Sequence, residues 1–200
     1  MPALLAEDGA WLVVLARAAI AESLQGGGVL DAALALRPKS ASLVALRACF
    51  VTLEARDDAG RLDLRGCIGS TEPRRALADA VVEAARQAAF EDPRFAPLTA
   101  EELPRVVVTV SALTPLVPAS GPDAIVPGRD GVVLVAGGKQ AVFLPEVAAR
   151  YGWEAGELLA QLARKAGMDR HAWRDGRLFV FTCERFAEGG FPAPDRIAGS

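Results

Sequence analysis

Histidine is almost missing from this chain, with His171 the only one in 200 residues. With it go the commonest metal ligand and the usual general base, so a zinc site or a cysteine-histidine pair has little to be built from. Cysteine is scarce too. Cys49, Cys67 and Cys183 are the three present, and they form no C-x-x-C pair. They are an odd number in a chain long enough to bury about 70% of its unfolded surface without staples, which points to a reducing cytoplasm. Dense basic runs are absent as well: 22 Lys and Arg against 25 Asp and Glu leave a net charge of -3, which removes the electrostatic footprint of a nucleic-acid binder.

No apolar run is long enough to cross a bilayer. The segment WLVVLARAAIA (11–21) follows Glu7 and Asp8 instead of a basic leader and contains Arg17, so it is no signal peptide. It reads as a buried first helix with Asp8 at its N-cap, ending near Gly26, Gly27 and Gly28. Neither G-x-x-x-x-G-K-[ST] nor G-x-G-x-x-G occurs, and no cofactor is indicated.

What is there, 52% hydrophobic and 24% charged, is the composition of a folded globular protein. Residues 29–46 read as a connector with at most one helical turn. ACFVTLEA (48–55) is rich in β-formers, and Asp57, Asp58, Ala59 and Gly60 signal a turn, so 47–55 and 61–68 predict an antiparallel hairpin. RRALADAVVEAARQAAF (74–90) carries Leu77, Val81, Ala84 and Ala88 at helical spacing, with Ser70, Thr71 and Pro73 supplying start signals. Residues 91–104 read as a loop and VVVTVSAL (106–113) as a strand covered on both faces. A long irregular connection (115–131) leads to a hairpin turning at Gly137 and Gly138, a helix over 154–166, a last strand over 177–186 and a mobile tail over 187–200. Strands arriving as hairpins with helices between them predict an α+β fold with largely antiparallel sheet and flanking helices.

One stretch concentrates chemistry. In LDLRGCIGS (62–70) strand alternation places Leu62, Leu64, Gly66 and Ile68 on one face and Arg65 and Cys67 on the other. A thiolate is favoured beside a cation and near a helix N-terminus, so Arg65 and the following helix would both activate Cys67. Gly66 and Gly69 allow close approach to the backbone and leave amides to hold an anion. The bland reading is that a lone thiol is buried packing and that strand glycines mark tight contact. Asp92 and Arg94 of DPRF are either turn chemistry or an anion-reading wall. His171 reads as a surface or capping residue behind Asp169, and Tyr151 and Trp153 as partly buried aromatics.

LRGCIGS, followed by EPRRALADAV, DPRFAPLTAEELP, VTVSALTP, GRDGVVLVAGGKQAVFLPEVAARYGW, KAGM and FVFTCERF, resembles the AMMECR family, the A protein of the AmmeMemoRadiSam system. The resemblance implies a single AMMECR-type domain over 1–186, in two unequal lobes with LRGCIG near the cleft between them. It also implies partners: a Memo-like protein with an extradiol-dioxygenase-like fold and a radical S-adenosylmethionine protein. It does not bring an established reaction. Of the three cysteines, only Cys67 falls on the signature. The expected site is therefore Cys67 as candidate nucleophile, with Arg65, Gly66, Ile68, Gly69, Ser70, Asp92 and Arg94 as ligand contacts and no metal. Two functions stay open: a pathway component binding a small anionic or electrophilic substrate, and a non-catalytic adaptor holding a peptide or protein.

Overall fold

The computed structural model describes residues 3–190. They form two antiparallel-sheet units, each with its own hydrophobic core, an α+β architecture. The first unit runs to Leu113 and resumes at Glu184; the second spans Thr114–Cys183.

In the first unit α1 (Ala6–Gln25) is buried over much of its circumference, as its near-continuous apolar sequence requires. It starts earlier than the apolar run suggests, with Leu5 at the N-cap. Asp8 is therefore not the cap itself. It sits at the third helical position and its carboxylate accepts the Leu5 N–H at 3.0 Å and the Ser40 hydroxyl at 2.9 Å. Residues 29–46, read from sequence as a connector with at most one helical turn, form two short helices, α2 (Val29–Ala35) and α3 (Ala41–Val44). The hairpin pairs β1 (Cys49–Arg56) with β2 (Leu62–Ser70) through a turn in which Gly60 takes φ of 82°.

α4 (Leu77–Phe90) buries Leu77, Val81, Ala84 and Ala88, the stripe read from spacing. Its cap is Ala76, not Ser70 or Thr71. The chain stays extended to Ser70, and the orphan Leu77 N–H donates to the Ala45 carbonyl at 3.0 Å, so a tertiary contact does the work of a capping side chain. β3 (Val106–Leu113) is nearly all buried and completes the sheet, in the order β2-β1-β3-β8, with β8 (Cys183–Ala187).

The second unit holds β4 (Val117–Ala119), β5 (Gly131–Ala136), β6 (Lys139–Phe143) and β7 (Arg177–Phe181) in the order β4-β7-β5-β6. α5 (Pro145–Tyr151) and α6 (Ala155–Lys165) belong to it, and α6 packs Leu158, Leu159 and Leu162 with Val132, Leu134 and Leu178. Gly137 and Gly138 turn the β5-β6 hairpin with φ of 55° and 75°.

The single last strand expected over 177–186 is two strands in two different sheets, interrupted at Thr182. Period-2 patterning is blind to such a change of partner, because both halves alternate alike. Of the expected tail, Ala187 ends β8 and Glu188–Gly190 form a 3-10 turn in which Glu188 grips Arg17. The rest of it lies outside the described residues. No helix among those residues is long and apolar enough to cross a membrane.

Candidate functional site at the Cys67 strand

The site is governed by one irregularity. In the β1-β2 ladder Leu53 faces Gly66 but Glu54 faces Leu64, so Arg65 is an extra, unpaired residue: a β-bulge. The bulge resets the alternation. Opposed residues share a face, and Thr52 with Glu54 carries Cys67 and Leu64 on the same side. Leu62 and Leu64 therefore share a face with Cys67 and not with Ile68, which corrects the simple alternation. The other side carries Val51, Leu53, Gly66 and Ile68 toward α1 and α4.

Gly66 is where that packing is closest. A Cβ there would lie 2.1 Å from the Ala88 carbonyl oxygen. The alanine-rich face of α4 lets the helix settle onto the strand, and only glycine leaves room beneath it. The same contact overturns the dipole argument. Ala88 lies in the last turn of α4, so the helix end level with Gly66 is the carbonyl end, and a thiolate gains nothing from it. At Gly69 a Cβ would meet the Cys49 carbonyl at 2.1 Å and the Phe50 ring at 2.6 Å. Ile68 packs against the core cluster.

Cys67 is half-buried, and the Thr52 hydroxyl donates to its sulfur at 3.3 Å. β2 is an edge strand, so the outward N–H and C=O of Cys67 have no strand to pair with. Two side chains stand in for one. Asp92 accepts the Cys67 N–H at 2.9 Å, and Arg94 donates to the Cys67 carbonyl at 3.4 Å. The two are joined to each other through Arg94 Nε and Nη2, at 2.9 and 2.7 Å. This pair acts as a side-chain peptide mimic clipped onto the sheet edge. The Arg94 guanidinium and two backbone amides hold the buried Asp92 carboxyl down to about 2, and the same pair, with the Cys67 thiol nearby, pushes Arg94 upward.

Arg65 leaves the strand in the bulge. Its Nε donates to Glu102 at 2.9 Å and its Nη2 to the Ala96 carbonyl at 2.9 Å. Phe95 lies between the two arginines, 5.8 Å from the Arg65 guanidinium carbon and 5.4 Å from that of Arg94. The arginine that reaches the Cys67 backbone is Arg94, which strand alternation did not offer. The hydroxyl of Thr52 was missed in the sequence; its signal was the register of the hairpin, which places it opposite Cys67.

Gly69 and Ser70 belong to different surroundings. They line a hollow of about 230 Å³ together with Arg47, Cys49, Arg75 and Glu83. Ser70 closes a turn by accepting the Glu72 N–H at 3.0 Å. The Cys49 thiol is buried and pushed up to about 12, chiefly by desolvation. So the structure brings Cys67, Asp92, Arg94 and Arg65 together, and sends Gly66 and Ile68 to the core side. His171 is exposed and donates its N–H to Asp169 at 2.8 Å. Tyr151 is 61% exposed and stacks on Trp153 at 4.7 Å. No metal-holding group of three or more His, Cys, Asp or Glu occurs among the described residues.

The AMMECR1 family profile matches residues 13–186. The chain belongs to the AMMECR1 family. A Thermofilum pendens protein is 42% identical over 191 residues, covering 90% of this chain and 89% of its own length. One from Thermococcus gammatolerans is 39% identical, with 91% of each chain covered. The crystal structure of the uncharacterised protein PH0010 from Pyrococcus horikoshii matches with a TM-score of 0.80, 36% identity and 92% of each chain. The AMMECR1 match takes in both sheets and the whole of the Cys67 cluster.

Proposed function

We propose that this AMMECR1 protein binds a small electrophilic substrate against β2 and that Cys67 is the group that reacts with it. The observation that carries this is the hydrogen bond from the Thr52 hydroxyl to the Cys67 sulfur, beside Arg94. A hydroxyl donor and a guanidinium both favour the thiolate, the nucleophilic form. Asp92 and Arg94 are positioning residues that fix the Cys67 backbone at its N–H and its carbonyl. In the step itself the sulfur bonds to an electrophilic carbon such as a carbonyl, and the thiol proton passes to the carbonyl oxygen, so nothing leaves.

The family resemblance adds Memo-like and radical S-adenosylmethionine proteins as partners in a modification pathway. The test is reconstitution of the three proteins with Cys67→Ser. Loss of product, together with loss of a covalent mass increment on the Cys67 peptide, is expected. Full retention would remove the nucleophile and leave the adaptor, for which Arg65→Glu should abolish partner capture while Cys67→Ser does not.

A further inference from the structure

The face of the first sheet that carries Cys67 is unusually polar for a buried surface. Thr52 is opposed by Cys67 on one side and by Thr109 on the other, and Phe50 by Gly69 and Ser111. Cys67, Thr52 and Thr109 thus form one row across three strands, with Ser111 in the next. Thr109 and Ser111 are 1% and 0% exposed, and neither hydroxyl has a hydrogen-bond partner among the described residues. An unpaired buried hydroxyl costs stability that a valine or alanine would not. β8 adds a cation. Phe186 packs against Gly9 of α1, and Glu184 accepts the Leu4 N–H at 2.9 Å, so both face the helices. Alternation turns Arg185 to the Cys67 side, where its Nε is buried without a partner among the described residues.

We infer that Thr109, Ser111 and Arg185 bind the carboxylate of the molecule whose electrophilic centre meets Cys67, an inference that rests on the Cys67 reading above. Two strand spacings separate Cys67 from Thr109, about 9.6 Å, which sets the distance between the two ends of the ligand. Thr109 and Ser111 stand about 6.8 Å apart along β3. The two oxygens of one carboxylate bridge that gap with hydrogen bonds of about 2.7 Å. One guanidinium balances one negative charge, which selects a carboxylate over a doubly charged phosphate.

The test uses the full chain and two thiol probes, 6-maleimidohexanoate and its neutral methyl amide. The Cys67 sulfur adds across the maleimide double bond, water protonates the neighbouring carbon, the thiol proton goes to buffer, and nothing leaves. Labelling of the Cys67 peptide is followed by mass spectrometry. The carboxylate probe should react about tenfold faster than the amide. Thr109→Val with Ser111→Ala, and separately Arg185→Gln, should bring that ratio to about one. The amide rate should stay the same, and the melting temperature of the hydroxyl variant should be unchanged or higher. A short pair, iodoacetate and iodoacetamide, should keep its own ratio in these variants, since it senses only Arg94. Equal rates for the long probes in the wild type, a preference that survives the substitutions, or a lower melting temperature of the hydroxyl variant would each overturn the inference. Failure of every probe to label Cys67 would instead remove the nucleophile reading, and this inference with it.

Discussion

Gly66→Ala is the sharpest test of how the signature strand is built. The new Cβ would lie 2.1 Å from the Ala88 carbonyl oxygen, where ordinary contact begins at 3.4 Å. Strand and helix would have to part by about 1.3 Å, and neither can yield cheaply. The obstructing atom is backbone, and α4 is held by Leu77, Val81, Ala84, Ala85 and Ala88 in the core. Overpacking of this kind costs about 1–3 kcal/mol, and a rigid neighbour puts it at the upper end. The alanine recovers about 0.5–1 kcal/mol of chain entropy, leaving a net loss of about 2 kcal/mol. For a chain of this size that lowers the melting temperature by about 4–8 °C. Circular dichroism gives the shift, and hydrogen exchange should show it concentrated in β2 and α4 amides. Gly156→Ala is the control: it lies in α6 with nothing within 4 Å of the new carbon, and should be neutral or stabilising. A Gly66→Ala protein that melts with the wild type yet fails to label at Cys67 would show that the glycine serves a ligand and that the packing reasoning is wrong.

Asp92→Asn should cost about 2 kcal/mol at neutral pH, from a carboxyl lowered from 3.8 to about 2. Because the folded pKa is depressed, this stabilisation is complete above pH about 4 and is lost as pH falls toward 2; urea midpoints should converge for wild type and variant in that window. Cys49 behaves with the opposite sign: its folded thiol is raised from 9.0 to about 12, so stability falls as pH rises from 9 toward 12, and Cys49→Ala should flatten that slope. At pH 8 iodoacetamide should modify Cys67 and spare Cys49 in the native protein, as read by peptide mass; equal labelling would contradict the burial argument. Glu188 accepts from Arg17 and, at 3.0 Å, from the Val108 N–H; Glu188→Gln should lower the urea midpoint by an amount equivalent to about 1–2 kcal/mol, reflecting loss of charge against a partly buried guanidinium.

The elements that obey a period were legible in the sequence. The α4 stripe, the β1-β2 and β5-β6 hairpins with their glycine turns, and the buried β3 were all read from local pattern, because local spacing determines them. What was not legible depends on contacts distant in sequence. Leu77 is capped by Ala45, the last strand changes sheets at Thr182, and α2 and α3, seven and four residues long, are too short to show a helical period. The site divides in the same way. Cys67 was singled out by its setting between glycines. Arg65 leaves the strand in a single-residue bulge that a period-2 reading cannot see, and its guanidinium pairs with Glu102.

That bulge links the motif's composition to its position at the sheet edge. β2 is nine residues long and lies at the margin of its sheet, a template for unwanted strand pairing. Three anchors cover it between Arg65 and Cys67: Arg65 on Glu102, Asp92 on the Cys67 N–H, and Arg94 on the Cys67 carbonyl. All three partners come from the loop after α4. Gly66 allows that helix to sit close, which brings the loop within reach of the edge. The helix contact, the bulge and the clip are therefore one construction, and its product is a cysteine whose backbone is fixed on both sides while its sulfur stays on the polar face. An alanine at 66 and an asparagine at 92 would disturb the same residue, one from the helix face of the strand and the other from its edge. Their effects on Cys67 reactivity should accordingly be coupled in a double-mutant cycle, not additive.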